Sequence, residues 1–340
     1  MIRPAPRSLL AAASCLSLWC ATVPHAQVPA PHPGTQPASQ QAGALPSTSE
    51  QSATPRPRQP APPSWRTGVD VVSVAVTVTD AQGRLVTGLP REAFSVFEDG
   101  AEQPITQFVN QRVPVSLGIL LDVSESMTGP RMDDARFALG RFVNDLLSQD
   151  DEAFLMVFNH RPRVIAPWTL QPGRLAGQLD GVIPTGGTAV YDAIAEALPL
   201  YARRAHQRAA LVVISDGADT ASDTDTRTLR SRLRREDAFV YALAVDAPGR
   251  RPVSGRVDPY ALRAITDESG GYTEVVHDTS ELVPATARIA EELNAQYLLG
   301  YVPPHKADST FHSIRVRVKD ATYKLRSRRG YVAEAQGTRE

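Results

Sequence analysis

The chain has 340 residues, of which 42% are hydrophobic, 21% charged and only 6% aromatic, with a formal net charge of -1. That length suits two domains, or one domain with appended segments, and is ample to bury a core. The near-neutral balance excludes a protein held by bulk attraction to nucleic acid or membrane phosphates, which needs a basic excess. No apolar run near 18 residues follows the N-terminus, so no later membrane span is expected.

Residues 1–26 read as an export signal. Arg3 and Arg7 make a positive start, Leu9 to Val23 is apolar, and Ala26 offers a small residue for cleavage. A short membrane anchor fits less well, because the apolar stretch is brief and a polar, Pro-rich segment follows. Lipidation at Cys15 would leave too little apolar length before it. Cleavage removes both cysteines, Cys15 and Cys20, and with them any disulfide, catalytic thiol or thiolate ligand. It leaves 34 basic against 37 acidic residues, a net charge of -3. The expected destination is the periplasm, the cell surface or the medium. Residues 27–64 hold ten of the 28 prolines among Ala, Gln, Ser and Thr. Such a segment cannot offset the entropy of ordering, which predicts an extended tether.

Residues 65–112 predict a small β unit. Val72, Val74, Val76 and Val78 alternate with small or polar residues at strand period, and Phe94 to Phe97 runs into the hairpin pair Asp99-Gly100. From residue 113 to 294 the texture changes. Val115 to Leu121 is continuously apolar, as in a strand buried on both faces of a parallel sheet. A helix is predicted over Asp133–Leu147, with Phe137 on or near its apolar face. Strand Ala153–Phe158, helix Ala189–Tyr201, strand Ala209–Ile214 and helix Thr226–Arg235 follow. Strand Phe239–Val245, helix Pro259–Glu268, strand Tyr272–Val276 and helix Thr279–Asn294 complete the series. This alternation predicts an α/β fold with a doubly wound, mostly parallel sheet. Residues 295–335 return to β: a strand at Tyr297–Tyr301, then a hairpin of Ile314–Lys319 with Lys324–Arg329. They are expected to pack with residues 65–112 as one accessory β layer beside the α/β domain.

Three short segments carry the chemistry. Asp122-Val123-Ser124-Glu125-Ser126 ends the first buried strand, Gly186-Gly187-Thr188 opens a helix, and Ser215-Asp216-Gly217 ends the strand before Thr226. In an open α/β sheet, ligands sit outside the carboxyl ends of the strands where strand order reverses, so all three are expected to converge there. Asp122, Ser124, Ser126, Thr188 and Asp216 offer oxygen alone, which selects a hard cation, Mg²⁺ or else Mn²⁺ or Ca²⁺. Two carboxylates and small hydroxyls would leave the ion underneutralised and seeking a carboxylate from elsewhere. That is a binding device, since no base stands ready to activate a water.

The pattern Asp-x-Ser-x-Ser, a distant Thr and a distant Asp resembles the metal-ion-dependent adhesion site of the von Willebrand factor type A domain. The resemblance covers about Val115 to Asn294 and implies a Rossmann-like fold. It also implies that Asp122, Ser124, Ser126, Thr188 and Asp216 hold the cation while a protein partner's acidic residue completes its shell. The flanking blocks Val96-Phe97-Glu98-Asp99-Gly100 and Tyr297-Leu298-Leu299-Gly300-Tyr301 resemble a bacterial exported subgroup of that family. One departure is Glu125, where the family usually has Gly; its side chain either faces solvent or folds over the ion. Asp192 either orients a ligand hydroxyl or is a favourable acid in a helix's first turn, while Asp219 and Ser222 read as turn-formers.

Other chemistries fit less well. A haloacid-dehalogenase-like, Mg²⁺-dependent phosphatase would need a second Asp where Ser124 stands. A serine hydrolase motif fails at Pro114, and no phosphate-cradling Gly-x-x-x-x-Gly-Lys is present. A cation that only supports the fold is a further alternative. His160, His206, His277, His305 and His312 show no ligand spacing and read as separate surface or loop residues. In the terminal hairpin, Lys319, Arg317 and Arg315 would oppose Lys324, Arg326 and Arg328, with Glu98, Asp99 and Glu102 expected to answer them. Arg230, Arg232, Arg234 and Arg235 read as a solvated helix face and loop.

Overall fold

The computed structural model describes residues 71–216, 218–245, 259–305 and 307–333, all within one compact unit, Trp65–Glu340. The export signal and tether expected over residues 1–64 lie outside the described residues.

Four short strands come first: β1 (Val72–Thr79), β2 (Phe94–Glu98), β3 (Ala101–Gln103) and β4 (Gln107–Val109). The α/β region then runs β5 (Val115–Asp122), α1 (Pro130–Arg141), β6 (Glu152–Phe158), β7 (Pro162–Thr169) and α2 (Val190–Ala197). It continues through β8 (Arg208–Ser215), α3 (Thr226–Leu233), β9 (Phe239–Val245), α4 (Pro259–Ser269), β10 (Thr273–Val276) and α5 (Leu282–Ala295). Four strands close the described chain: β11 (Tyr297–Tyr301), β12 (Phe311–Val318), β13 (Lys324–Ser327) and β14 (Gly330–Val332).

The central sheet has the order β10-β9-β8-β5-β6-β7, parallel throughout except for β7. Every residue of β5, β6, β8 and β9 is buried, which is why these strands read as unbroken apolar runs. α1 and α5 cover one face, setting Met132, Leu139, Ile289 and Leu293 against Leu117, Ile119 and Leu121. α2, α3 and α4 cover the other, with Ile194, Leu229 and Ile265 in one cluster with Leu120, Leu211 and Val213. The chain leaves β5 toward β6 on one side and returns through β8 on the other, so strand order reverses between β5 and β8.

Local chemistry sets most element ends. Gly129, at φ 75°, turns the chain into Pro130 at the start of α1. Asp225 caps α3 by accepting the Thr228 amide at 2.7 Å. Two readings of this region are corrected. α1 starts three residues earlier than expected and passes into a π turn over Phe142–Leu146, and its buried stripe of Met132, Ala135, Ala138, Leu139, Phe142 and Val143 leaves Phe137 64% exposed. β7 was not foreseen, because Pro162 and Pro167 interrupt its pattern; an edge strand tolerates them, having one side with no ladder to complete.

The accessory strands form two sheets rather than one layer, ordered β13-β1-β11-β4 and β14-β12-β2-β3. Each sheet mixes strands from before and after the α/β region, with Val74 opposite Leu299 and Val96 opposite Val316. Their inner faces share a cluster that includes Val74, Val76, Phe94, Val96, Tyr297, Leu299 and Val316. Asp99 and Gly100 take positive φ, 48° and 87°, as the tight β2–β3 hairpin requires.

The expected terminal hairpin does not form, because β12 pairs with β2 and β14 while β13 pairs with β1. Its cations are answered separately. Arg317 lies over the Phe97 ring, Arg326 pairs with Glu292, and Arg328 reaches Asp237 at 3.2 Å. Glu98 and Asp99 are engaged elsewhere, as described below. Arg230 and Arg234 are not simply solvated either, since both clamp Glu268, at 2.8 and 2.7 Å.

Candidate metal centre

β5 and β8 are adjacent and parallel, so their carboxyl ends deliver Asp122 and Asp216 to one place at the switch point. Asp122 is fully buried. Its Oδ1 accepts the Ser124 amide at 2.8 Å, and its Oδ2 accepts the Ser215 hydroxyl at 2.6 Å. The Ser124 and Ser126 hydroxyls lie 2.8 Å apart, and Ser126 Oγ donates to Asp216 Oδ1 at 2.6 Å. A chain of hydroxyls therefore links the segments that carry two buried carboxylates. Burial pushes the Asp122 carboxyl up to about 6; its hydrogen bonds to Ser215 and Ser124 oppose this, and the Asp216 charge adds to it.

The third segment is fixed through main-chain bonds. The Thr185 amide donates to the Val123 carbonyl at 2.9 Å, and the Glu125 amide donates to the Gly186 carbonyl at 3.0 Å. Gly186 has φ 78°, which favours glycine, and a Cβ there would stand 2.6 Å from His160 Nδ1 and force that ring to shift. Thr188 is buried just before α2; its carbonyl accepts the Thr220 and Ala221 amides from the loop after β8. Four of the five expected residues thus share one run of hydrogen bonds, and Thr188 is carried beside them on its own loop. Among the described residues, no hydrogen bond joins the Thr188 side chain to the other four.

The two readings open for Asp192 resolve toward structure. Its carboxylate accepts the Asp223 and Thr224 amides, both at 2.9 Å, and so clamps the loop after Asp216 rather than a ligand hydroxyl. Asp219 Oδ1 accepts the Tyr191 amide, while Ser222 Oγ accepts the Asp192 amide, so this loop caps the free amides of α2. Glu125 is exposed, the solvent-facing alternative.

Two residues at the site were not singled out from the sequence. Ser215 is the partner of Asp122, signalled only by its place beside Asp216. Arg131, in the first turn of α1, donates from Nη1 to the Ser126 carbonyl at 2.9 Å and to Asp216 Oδ2 at 3.2 Å.

With this geometry in view, comparison with known proteins identifies the region. Residues 117–218 match the family model described as von Willebrand factor type A domain. The chain carries a von Willebrand factor type A domain. All five expected site residues fall inside the matched span. Several solved structures are similar to this chain. The conserved hypothetical protein BatB of Bacteroides thetaiotaomicron is 23% identical, covering 53% of this chain and 97% of its own, with a TM-score of 0.44. A von Willebrand factor type A protein of Catenulispora acidiphila is 13% identical, covering 80% and 76%, with a TM-score of 0.48. Proximal thread matrix protein 1 of the mussel byssus, with a zinc-occupied MIDAS motif, is 16% identical, covering 58% and 49%, with a TM-score of 0.46. No curated protein matches the chain.

A second cluster corrects the reading of separate histidines. Glu98, His305 and His312 bring potential ligand atoms within 4.8 Å of one another. Glu98 accepts from the Tyr301 and Tyr331 hydroxyls and contacts His305 Nε2 at 2.7 Å. His312 meets Asp99 at Nδ1, 2.8 Å, and Asp308 at Nε2, 3.1 Å. Burial lowers the His312 pKa, but the hydrogen bonds to Asp99 and Asp308 outweigh it and the net shift is upward. The two imidazoles stack at 3.6 Å, with 15° between planes. Nearly parallel rings so spaced share no nearby point in both planes, where an ion on both lone pairs must sit. As arranged, the cluster is a hydrogen-bonded staple. The two histidines lie seven residues apart, a spacing that gives no local signal.

Proposed function

We propose that Asp122, Ser124, Ser126, Thr188 and Asp216 hold a divalent cation, Mg²⁺ or one of the hard ions Mn²⁺ and Ca²⁺, and that the ion takes a carboxylate from a protein partner. The supporting observation is the buried Asp122 carboxylate, strained by desolvation and joined through serine hydroxyls to the segment bearing Asp216. A cation relieves that burial cost, and the all-oxygen donor set suits a hard ion. Bound there, it would supply Lewis acidity toward an anionic oxygen. The chain's own residues shape and orient the pocket, and the reading is of binding rather than catalysis.

The rim supports an acidic partner. A groove of about 670 Å³ beside the site is lined by His160, Arg161 and Arg163, with Asp180 as its acid, and also by Ile183, which is 80% exposed. We further propose that the chain is exported and that residues 27–64 give the domain reach.

Calorimetric titration of Mg²⁺, Mn²⁺ and Ca²⁺ into the purified chain, beside Asp122→Ala and Thr188→Ala, tests the site. Saturable binding in the parent that both variants lose is the expected result. Equal heats from all three proteins would remove the site, and Mg²⁺-dependent release of phosphate from a generic ester would favour a hydrolase instead. Cell fractionation with N-terminal sequencing tests export.

A further inference from the structure

We propose that Arg131 is a built-in competitor of the cation: its guanidinium pairs with Asp216 and so sets the ion concentration at which the site fills. The inference rests on the cation-binding reading above.

The geometry is specific. Arg131 Nη1 bridges two groups of the cluster, the Ser126 carbonyl at 2.9 Å and Asp216 Oδ2 at 3.2 Å. Asp216 Oδ1 meanwhile accepts the Ser126 hydroxyl, so the guanidinium and that hydroxyl bond different oxygens of one carboxylate. The Asp216 side chain is 1% exposed and that of Arg131 is 28% exposed. A counter-charge offsets part of the desolvation cost of a carboxylate so deeply buried. Arg131 provides that charge from the chain itself, and its partly exposed stem leaves it a path away from the site. Gly129 and Pro130 fix the start of α1 and so fix where Arg131 emerges.

The consequence follows from electrostatics. A dication entering beside Asp216 meets a positive group already hydrogen-bonded to that carboxylate, and must either repel it or displace it. The site therefore binds its ion less tightly than its oxygen donors alone would allow. In return, Asp216 is never left as an unpaired buried charge.

Arg131→Gln removes the charge and leaves a shorter, neutral donor, whereas Arg131→Lys keeps the charge. Mg²⁺ is titrated calorimetrically into the full chain and both variants, and thermal unfolding is followed in EDTA and in excess Mg²⁺. The Gln variant should bind Mg²⁺ about tenfold tighter than the parent, with the Lys variant near the parent. In EDTA the Gln variant should melt below the parent, and Mg²⁺ should raise its midpoint by the larger amount. Parent binding with a Gln variant that binds equally or more weakly would overturn the inference and leave the cation site standing. If none of the three proteins takes up Mg²⁺, the site and the inference fall together.

Discussion

Replacing Asp122 by Asn should make the protein more stable and unable to bind its cation. Both oxygens of Asp122 accept a hydrogen bond, from the Ser124 amide and the Ser215 hydroxyl. An Asn fits the same space, accepts the amide through Oδ1 and donates to Ser215 Oγ through Nδ2, so no bond is lost. What changes is the charge. Burial raises the Asp122 carboxyl from 3.8 to about 6, so the native state holds this proton to higher pH than the unfolded chain does. Ionisation then costs native stability progressively as pH rises through that window, and the loss is complete above about pH 6. At 1.36 kcal/mol per unit, Asp122→Asn should gain about 3 kcal/mol at pH 7.5, about 1 kcal/mol at pH 4.5, and nothing near pH 3. Urea unfolding in EDTA at these three pH values measures the gain. In millimolar Mg²⁺ the order should narrow or reverse, because ligand binding stabilises only the parent. A variant no more stable than the parent at pH 7.5 in EDTA would refute the claim that this carboxylate is held at a desolvation cost.

Glu292 on α5 accepts from Thr77 of β1 and Tyr241 of β9 and pairs with Arg326 of β13, tying one accessory sheet to the α/β region. Glu292→Ala should cost about 3 kcal/mol by urea unfolding, since it strands three polar groups at once. The His312 contribution runs with pH in the opposite sense to an ordinary carboxylate. Its folded pKa lies above 6.5, so its stabilisation is full below that value and is lost as pH rises through the folded value. The parent's midpoint should therefore fall between pH 6 and pH 8.5 more steeply than that of His312→Gln, measured by thermal unfolding. Gly271→Ala would place a Cβ 2.0 Å from the Val240 carbonyl oxygen, a main-chain atom that cannot swing aside. A loss of about 3 kcal/mol or more, or failure to accumulate folded protein, is expected.

The four inner strands of the central sheet, β5, β6, β8 and β9, were legible because each is buried on both faces and shows it in its own residues. Phe239–Val245 of that sheet, and Tyr297–Tyr301 of an accessory sheet, have the bounds that the sequence pattern predicts. The convergence of three segments was legible too, since chain order and strand ends alone forecast that those bearing Asp122, Ser124 and Ser126, Thr188, and Asp216 would lie near one another. Partner choice was not. Whether β13 pairs with β12 or with β1 depends on which faces can be buried across two sheets, and neither strand records that locally. Arg131 and the pair His305 and His312 escaped for the same reason. Their roles come from groups brought near by folding, Asp216 for the arginine and Glu98 with Asp99 for the histidines, more than 80 residues away in the chain. Local periodicity thus determines which segments become strands and helices and which oxygens end them. Only tertiary packing decides which charges meet, because a hydrogen bond or ion pair depends on distance in space.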